Sequence, residues 1–407
     1  VIDVSLDTVI FGGGIAGLWT LNKLHNEGRQ VILLESQAIG AGQTGMSQGI
    51  VHGGMKYALT GKLSEASQAI AQMPARWRDC LNGKGEVDLS SATILSEAQY
   101  LWSDDKVTSK IKSFFASKLL KSRCEPVNQD QAPALFQNKQ FTGKLYRLNE
   151  MVLDVNSVLQ ALIAPLQDRI LKIDNDRLKL HFNDSKLEFI EYTLPTQQTV
   201  RLRAKQWVFA AGEGNASLLQ DAIKAPAMQT RPLRMTMLSF EGISPVYAHA
   251  LGKYAVPRMT ITSHQDDAGR WVWYIGGQVA EEGVEKNEAT HHQHVMEELK
   301  ALLPWIPLDC FKINSFIINR AEPKMSAGKR PDNFFVKQHQ NMTVVWPTKL
   351  AFAPVVAEAV SGLTVDPAVK PRDDSDALRD DGGVGWLKIQ ADWPKAEIAS
   401  PLWNSLC

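Results

Sequence analysis

The chain has 407 residues, 44% hydrophobic and 22% charged, and its 44 Lys plus Arg balance its 44 Asp plus Glu. That length exceeds one small domain and predicts two lobes, while zero net charge leaves no global electrostatic footprint for nucleic acid. The scattered cysteines Cys80, Cys124, Cys310 and Cys407 form no CxxC pair, which fits free thiols in a reducing compartment better than a disulfide framework or a zinc or iron–sulfur site.

No basic segment followed by an apolar run opens the chain, and no stretch of about 18 apolar residues follows, so the expectation is a cytoplasmic protein that spans no bilayer. The first elements lie in "DTVIFGGGIAGLWTLNKLHNEGRQVILLE", Asp7 to Glu35. Val9-Ile10-Phe11 reads as a short buried strand, Ile15 to Glu27 as a helix with Leu18, Leu21 and Leu24 on one side and Gly28 as its stop, and Val31 to Leu34 as a second strand. Gly12, Gly14 and Gly17 occupy the G-x-G-x-x-G positions of a dinucleotide-binding βαβ unit. They serve the tight turn, the close approach of a pyrophosphate and the helix–strand contact, respectively. The helix N-terminus faces the phosphate, and Glu35, about 20 residues on, is placed for a ribose diol. An acid there repels a 2′-phosphate, which disfavours NADP and leaves FAD or NAD.

Next comes "GQTGMSQGIVHGGMKYA", Gly42 to Ala58, where glycines cluster around His52, Lys56 and Tyr57. Such clustering lets backbone approach a ligand closely, and the His and Lys make that ligand polar. "KVTSKIKSFFASKLLKSRC" sets Val107, Ile111, Phe114, Phe115 and Leu119 against lysines. Residues 106–123 could therefore make a weak peripheral contact with an anionic membrane or form a surface helix. Lys172 to Arg203 alternates polar and apolar residues, as antiparallel strands do, and "RMTITSHQDDAGRWVWYIGG" reads as a hairpin turning at Asp266-Asp267-Ala268-Gly269. In "HHQH", His291 and His294 have a metal-ligand spacing, but no acid or cysteine cluster accompanies them, so a solvated helix face is expected and no metal. The stretch "DPAVKPRDDSDALRDDGG" reads as an acidic linker, after which Trp386, Trp393 and Trp403 dock the chain end onto the body.

The first segment, followed closely by G-x-x-H-G-G-x-K-Y, resembles the FAD-dependent glycerol-3-phosphate dehydrogenases, within the broader group of D-amino-acid oxidase and glycine oxidase flavoproteins. "AKQWVFAAGEGNASLL" (Ala204 to Leu219) is similar to that group's later strand and turn. "VVWPTKLAFAPVVAEAV" resembles its closing flavin loop, although Trp346-Pro347-Thr348-Lys349 stands where the family usually has Gly-Gly-Lys. The resemblance implies FAD and an α/β fold, a Rossmann-type FAD-binding domain with an inserted α+β substrate domain containing a mainly antiparallel sheet. On this reading residues 1–80, 151–225 and 325–366 bind FAD, 81–150 and 226–324 hold substrate, and 367–407 pack as a tail.

The same resemblance places Ile15, Ala16 and Ser36 beside the cofactor in the first segment, and Thr44, Gly45, Ser47, Gly49 and Ile50 in the second. Ala211, Gly212, Lys349 and Leu350 approach it from the later segments, Lys349 at the pyrimidine edge of the flavin, where it would stabilise negative charge. His52 lines the flavin-facing wall, Lys56 and Tyr57 contact substrate, and Arg320 (or Arg330 in the same segment) grips the substrate's anionic end. Lys56 replaces a more usual arginine and so supplies a point charge rather than a bidentate clamp. The implied reaction is hydride removal from a small anionic alcohol, glycerol 3-phosphate or a 2-hydroxy acid, with His52 or a neighbour taking the hydroxyl proton. Oxygen, a quinone or another protein would be the electron acceptor, and an inner-face peripheral location is an alternative to a free cytoplasmic one. The alternatives are an amine or amino-acid oxidase of the same fold and a non-catalytic flavin-binding partner or sensor.

Overall fold

The computed structural model describes residues 1–54, 65–103, 124–219, 228–252, 256–308, 310–326, 331–363 and 390–406. The strand β1 (Ile2–Phe11) leads into helix α1 (Ile15–Asn26) and then strand β2 (Val31–Glu35), and the strands pair in parallel with Phe11 beside Leu34. Gly28 ends the helix as its position predicts. At φ +81° it donates its N–H to His25 O at 2.8 Å, while the Arg29 N–H reaches Leu24 O at 3.1 Å. Together these bonds satisfy the last carbonyls of the helix. The helix is not one-sided, however. Every residue from Ile15 to Asn22 is buried, because helices Val155–Ile163 and Ala353–Gly362 pack against it on the side away from the sheet.

The first sheet runs Phe335–His339, Met342–Trp346, Thr199–Phe209, β1, β2, Ile170–Lys172. Along this row every pairing is parallel except that of Phe335–His339 with Met342–Trp346. Parallel strands of this kind are covered on both faces. Ile10 accordingly packs toward α1, while Val9 and Phe11 join Trp207, Phe209 and Trp346 on the opposite face. The expected antiparallel segment is present. Leu178–Asn183 pairs with Lys186–Thr193, which pairs with the first half of Thr199–Phe209. Asp184 and Ser185 turn the first hairpin at φ +46° and +64°, the mirror-type turn that a two-residue hairpin favours.

The second sheet runs Phe311–Pro323, Met228–Phe240, Trp271–Gly276, Met259–Gln265, Ala248–Ala250, Gln99–Ser103, Lys144–Leu148, Cys124–Val127. It is antiparallel except where Ala248–Ala250 lies parallel to Gln99–Ser103. The anticipated hairpin turns at Asp266–Gly269, with Gly269 at φ +74° and its N–H on Asp266 O at 2.9 Å. One face carries helix Glu288–Leu302 through Val295 and Leu299. The other, with Met235, Tyr274 and Ile318, meets the tail residue Trp403.

The solvated reading of "HHQH" is corrected for His291. It is fully buried and its Nε2 lies 2.8 Å from Thr236 Oγ1. His292 and His294 turn instead to Ser315 and Glu282. The tail docks through Trp393, stacked on Tyr192 at 4.8 Å, and Trp403, stacked on His264 at 3.8 Å. Trp386 and residues 106–123 lie outside the described residues. No helix among the described residues is long and apolar enough to cross a membrane.

Candidate active site

At the C-terminal end of β1 the chain turns through Gly12 at φ +107°, and a side chain there would meet Ala211 Cα at 2.6 Å. A Cβ on Gly17 would lie 1.9 Å from Gly12 O, so the helix reaches the turn only because both residues lack one. Gly14 caps α1 without any side-chain hydrogen bond of its own, leaving the positive helix end open toward the cavity. The Ile15 N–H there donates to Thr44 Oγ1 at 3.0 Å. Glu35 accepts the Gly13 N–H at 2.5 Å and the Gln37 N–H at 2.6 Å, one on each oxygen. A carboxylate has about four acceptor positions, so capacity remains for a ribose diol.

From this end a cavity of about 540 Å³ runs past Ser36, Ser47, Ile50, Ala211 and Gly212 to the second sheet. Trp346 Nε1 donates to Gly212 O at 3.0 Å, tying the closing loop to the Ala210–Gly212 turn. Thr348 then adopts φ +59° and donates its hydroxyl to Asn333 O at 3.1 Å. A β-branched residue rarely takes that conformation, so this hydrogen bond helps hold a backbone path that glycine would favour. Lys349 and Leu350 line the cavity. The Lys349 ammonium itself contacts Asp332 O at 3.2 Å and lies 4.9 Å above the Phe352 ring.

At the far end His52, Glu150, His249 and Thr260 form one cavity wall, and Arg320 and Asn319 also border the space. His52 Nδ1 lies 3.1 Å from Glu150 Oε2, and the Gly53 N–H donates to Glu150 Oε1 at 2.8 Å. The His52 side chain is 39% exposed and that of Glu150 only 5%. Burial acts to raise the Glu150 carboxyl, but the His52 hydrogen bond and charge, with His249 and the Gly53 N–H, outweigh it and leave it below the ordinary carboxylate range. The His249 ring lies near-parallel to that of His52, centroids 6.3 Å apart, with Nδ1 2.8 Å from Thr260 Oγ1. Burial, reinforced by His52 and only partly opposed by Glu150, pushes His249 down to about 4.

The structure thus brings His52, Arg320, Lys349 and the glycine segments to one cavity, and adds Glu150 and His249, which sequence reasoning did not single out. Lys56, Tyr57 and Arg330 lie outside the described residues. Gly45 and Gly49 shape the second segment from behind, facing Gly40 O and Leu153 O.

A parallel sheet with an open helix end and an acid closing β2 defines a dinucleotide-binding protein. The chain matches the FAD dependent oxidoreductase family over residues 7–361, and it belongs to that family. It is 41% identical over 370 residues to the probable FAD-dependent oxidoreductase PA4991 of Pseudomonas aeruginosa, covering 90% of this chain and 93% of that protein. The crystal structure of PA4991 superposes with a TM-score of 0.81 at 36% identity, covering 99% of this chain and 98% of that one. Glycine oxidase from Geobacillus kaustophilus has a TM-score of 0.61 at 12% identity, with 90% and 96% covered. L-alpha-glycerophosphate oxidase from Mycoplasma pneumoniae, with FAD bound, has 0.61 at 14%, with 91% and 97% covered. Equal likeness to an amino-acid and a glycerophosphate enzyme establishes the fold and does not single out the glycerol-3-phosphate branch. The protein is an FAD-dependent oxidoreductase. Its glycine turn and α1 N-terminus would hold the pyrophosphate and Glu35 the ribose.

Proposed function

We propose that the protein oxidises a small anionic alcohol, a 2-hydroxy acid or glycerol 3-phosphate. The bound flavin supplies the acceptor for the hydride that leaves the substrate carbon. The reading is carried by His52, a cavity-facing imidazole backed by a buried carboxylate. A free amine has a lone pair on nitrogen that can drive hydride departure unaided. A hydroxyl must lose its proton as the hydride leaves, and this calls for a positioned base. His52 takes that proton, and Arg320 holds the anionic end by charge-assisted hydrogen bonds.

Anaerobic mixing of the FAD-loaded protein with glycerol 3-phosphate, lactate, glycolate, glycine and sarcosine tests the proposal. Bleaching of the flavin by an anionic alcohol is the expected result. Bleaching by the amines alone would make the protein an amino-acid or amine oxidase, and no bleaching by any of them would favour a non-catalytic flavoprotein; either outcome rejects the alcohol reading.

A further inference from the structure

We propose that Glu150 is a positioning residue that holds His52 as the Nδ1–H tautomer, so that Nε2 is presented to the cavity as the proton acceptor. The use made of that acceptor rests on the function proposed above; the tautomer itself does not. Glu150 lies in the short link between strands Lys144–Leu148 and Val152–Leu153, and the 51–54 segment runs beside it, with the Val51 N–H on Met151 O at 2.9 Å. This backbone pairing brings both the His52 ring and the Gly53 N–H to one carboxylate. Each oxygen has its own donor: Oε1 takes Gly53 at 2.8 Å and Oε2 faces Nδ1 of His52 at 3.1 Å. An ionised carboxylate can only accept, so the nitrogen facing it carries the proton. In a neutral imidazole the other nitrogen then keeps its lone pair.

The surroundings reinforce this arrangement. His249 is the other described titratable group facing the pair, from strand Ala248–Ala250, and it is neutral near pH 7 with Thr260 on its Nδ1. It therefore brings no second positive charge against His52. Lys56, four positions on, lies outside the described residues. With Glu150 at 5% side-chain exposure and His52 at 39%, the carboxylate is sealed behind the ring while the ring remains accessible from the cavity.

Glutamine at position 150 distinguishes this role from simple packing. Its shape is nearly that of glutamate, but it has one accepting oxygen where two donors need one each. If the amide oxygen stays on the Gly53 N–H, its NH₂ faces His52 and requires the Nε2–H tautomer, which removes the base from the cavity side.

The test is nitrogen NMR of FAD-loaded protein with ¹⁵N-labelled histidine, with the His52 signals assigned by their absence in His52→Gln. The wild type should show the Nδ1–H tautomer. In Glu150→Gln the signals should move toward Nε2–H, while Glu150→Asp should keep the wild-type tautomer. An Nε2–H tautomer in the wild type overturns the proposal without recourse to any variant, which covers the case of a Glu150→Gln protein that does not fold. An unchanged tautomer in folded Glu150→Gln also overturns it. The expected shifts in a protein that no anionic alcohol bleaches would support the positioning role and reject the function proposed for it.

Discussion

Arg320 stands opposite Arg231 in the pairing of strands Phe311–Pro323 and Met228–Phe240. The acid two positions on, Glu322, pairs with Arg231. Arg320 borders the cavity and donates from Nε to Arg231 O at 3.4 Å. A charge-assisted hydrogen bond to a substrate anion contributes about 1.5–3 kcal/mol, so Arg320→Ala should lower kcat/KM by roughly 10- to 150-fold. The flavin spectrum should be unchanged. Arg320→Lys should recover part of the loss, as a point charge replaces a planar fork. Steady-state kinetics on whichever anionic alcohol bleaches the flavin would decide it; an unaltered kcat/KM in the alanine variant rules out the anion clamp. Arg320 and His52 were legible as candidates from the residues and the family resemblance. Glu150 was not, since it is 98 residues from His52 in the chain and no spacing rule links an isolated acid to a glycine loop. The pairing of Gly49–Val51 with Met151–Leu153 brings the two together.

At the scale of elements, the βαβ unit was readable because strand, glycines, helix and acid all fall in register over one short stretch. The Asp266–Gly269 hairpin was readable for the same local reason. His291 departs from a solvated helix face because it shares a column with apolar residues. His291, Val295 and Leu299 recur every fourth residue, and all three are buried on the same side of Glu288–Leu302. The tail tryptophans signalled docking but not where. The structure shows the docked segment spanning both sheets. Ile398 bridges to Ile39, the Ile39 N–H donates to Glu397 O at 2.7 Å, and the adjoining Gly40 N–H donates to Gly13 O at 3.1 Å. Further on, Trp403 lies flat on His264, and Asn404 donates to Asp267 at 2.8 Å. The tail therefore braces the Gly12–Gly14 turn, which would hold the cofactor. Removing a buried tryptophan side chain costs about 3–5 kcal/mol, so Trp403→Ala should loosen this segment and lower the temperature at which FAD is released. Flavin fluorescence during heating measures it, and a release temperature equal to that of the wild type would show that the tail does not support the cofactor site.

At the scale of the whole molecule, three buried imidazoles should make folding less stable in acid. His249, His264 and His291 are all buried. Burial is the leading cause that carries them down from 6.5 to about 4, about 3 and about 4. In the unfolded chain each would titrate near the ordinary value. Above that value neither state is protonated and the stability contribution of these groups is fully present. As pH falls below it, the unfolded chain binds protons that the folded protein refuses, and stability declines until the folded state itself takes them up. The slope reaches at most about 1.4 kcal/mol per pH unit for each histidine. The opposite case, Glu150, does not obscure this window. Its carboxyl is held below the ordinary value of 4.5 in the folded state, so its contribution is lost only as pH falls through the carboxylate range. Thermal unfolding should therefore occur at a lower temperature at about pH 5 than at about pH 7.5. His264→Phe isolates one component, because it retains a ring against Trp403 while removing a titrating group. That variant should lose less stability between the two pH values than the wild type does. Equal melting temperatures for the wild type at both values, or a drop in His264→Phe as large as in the wild type, would contradict the assignment of the acid response to these buried rings.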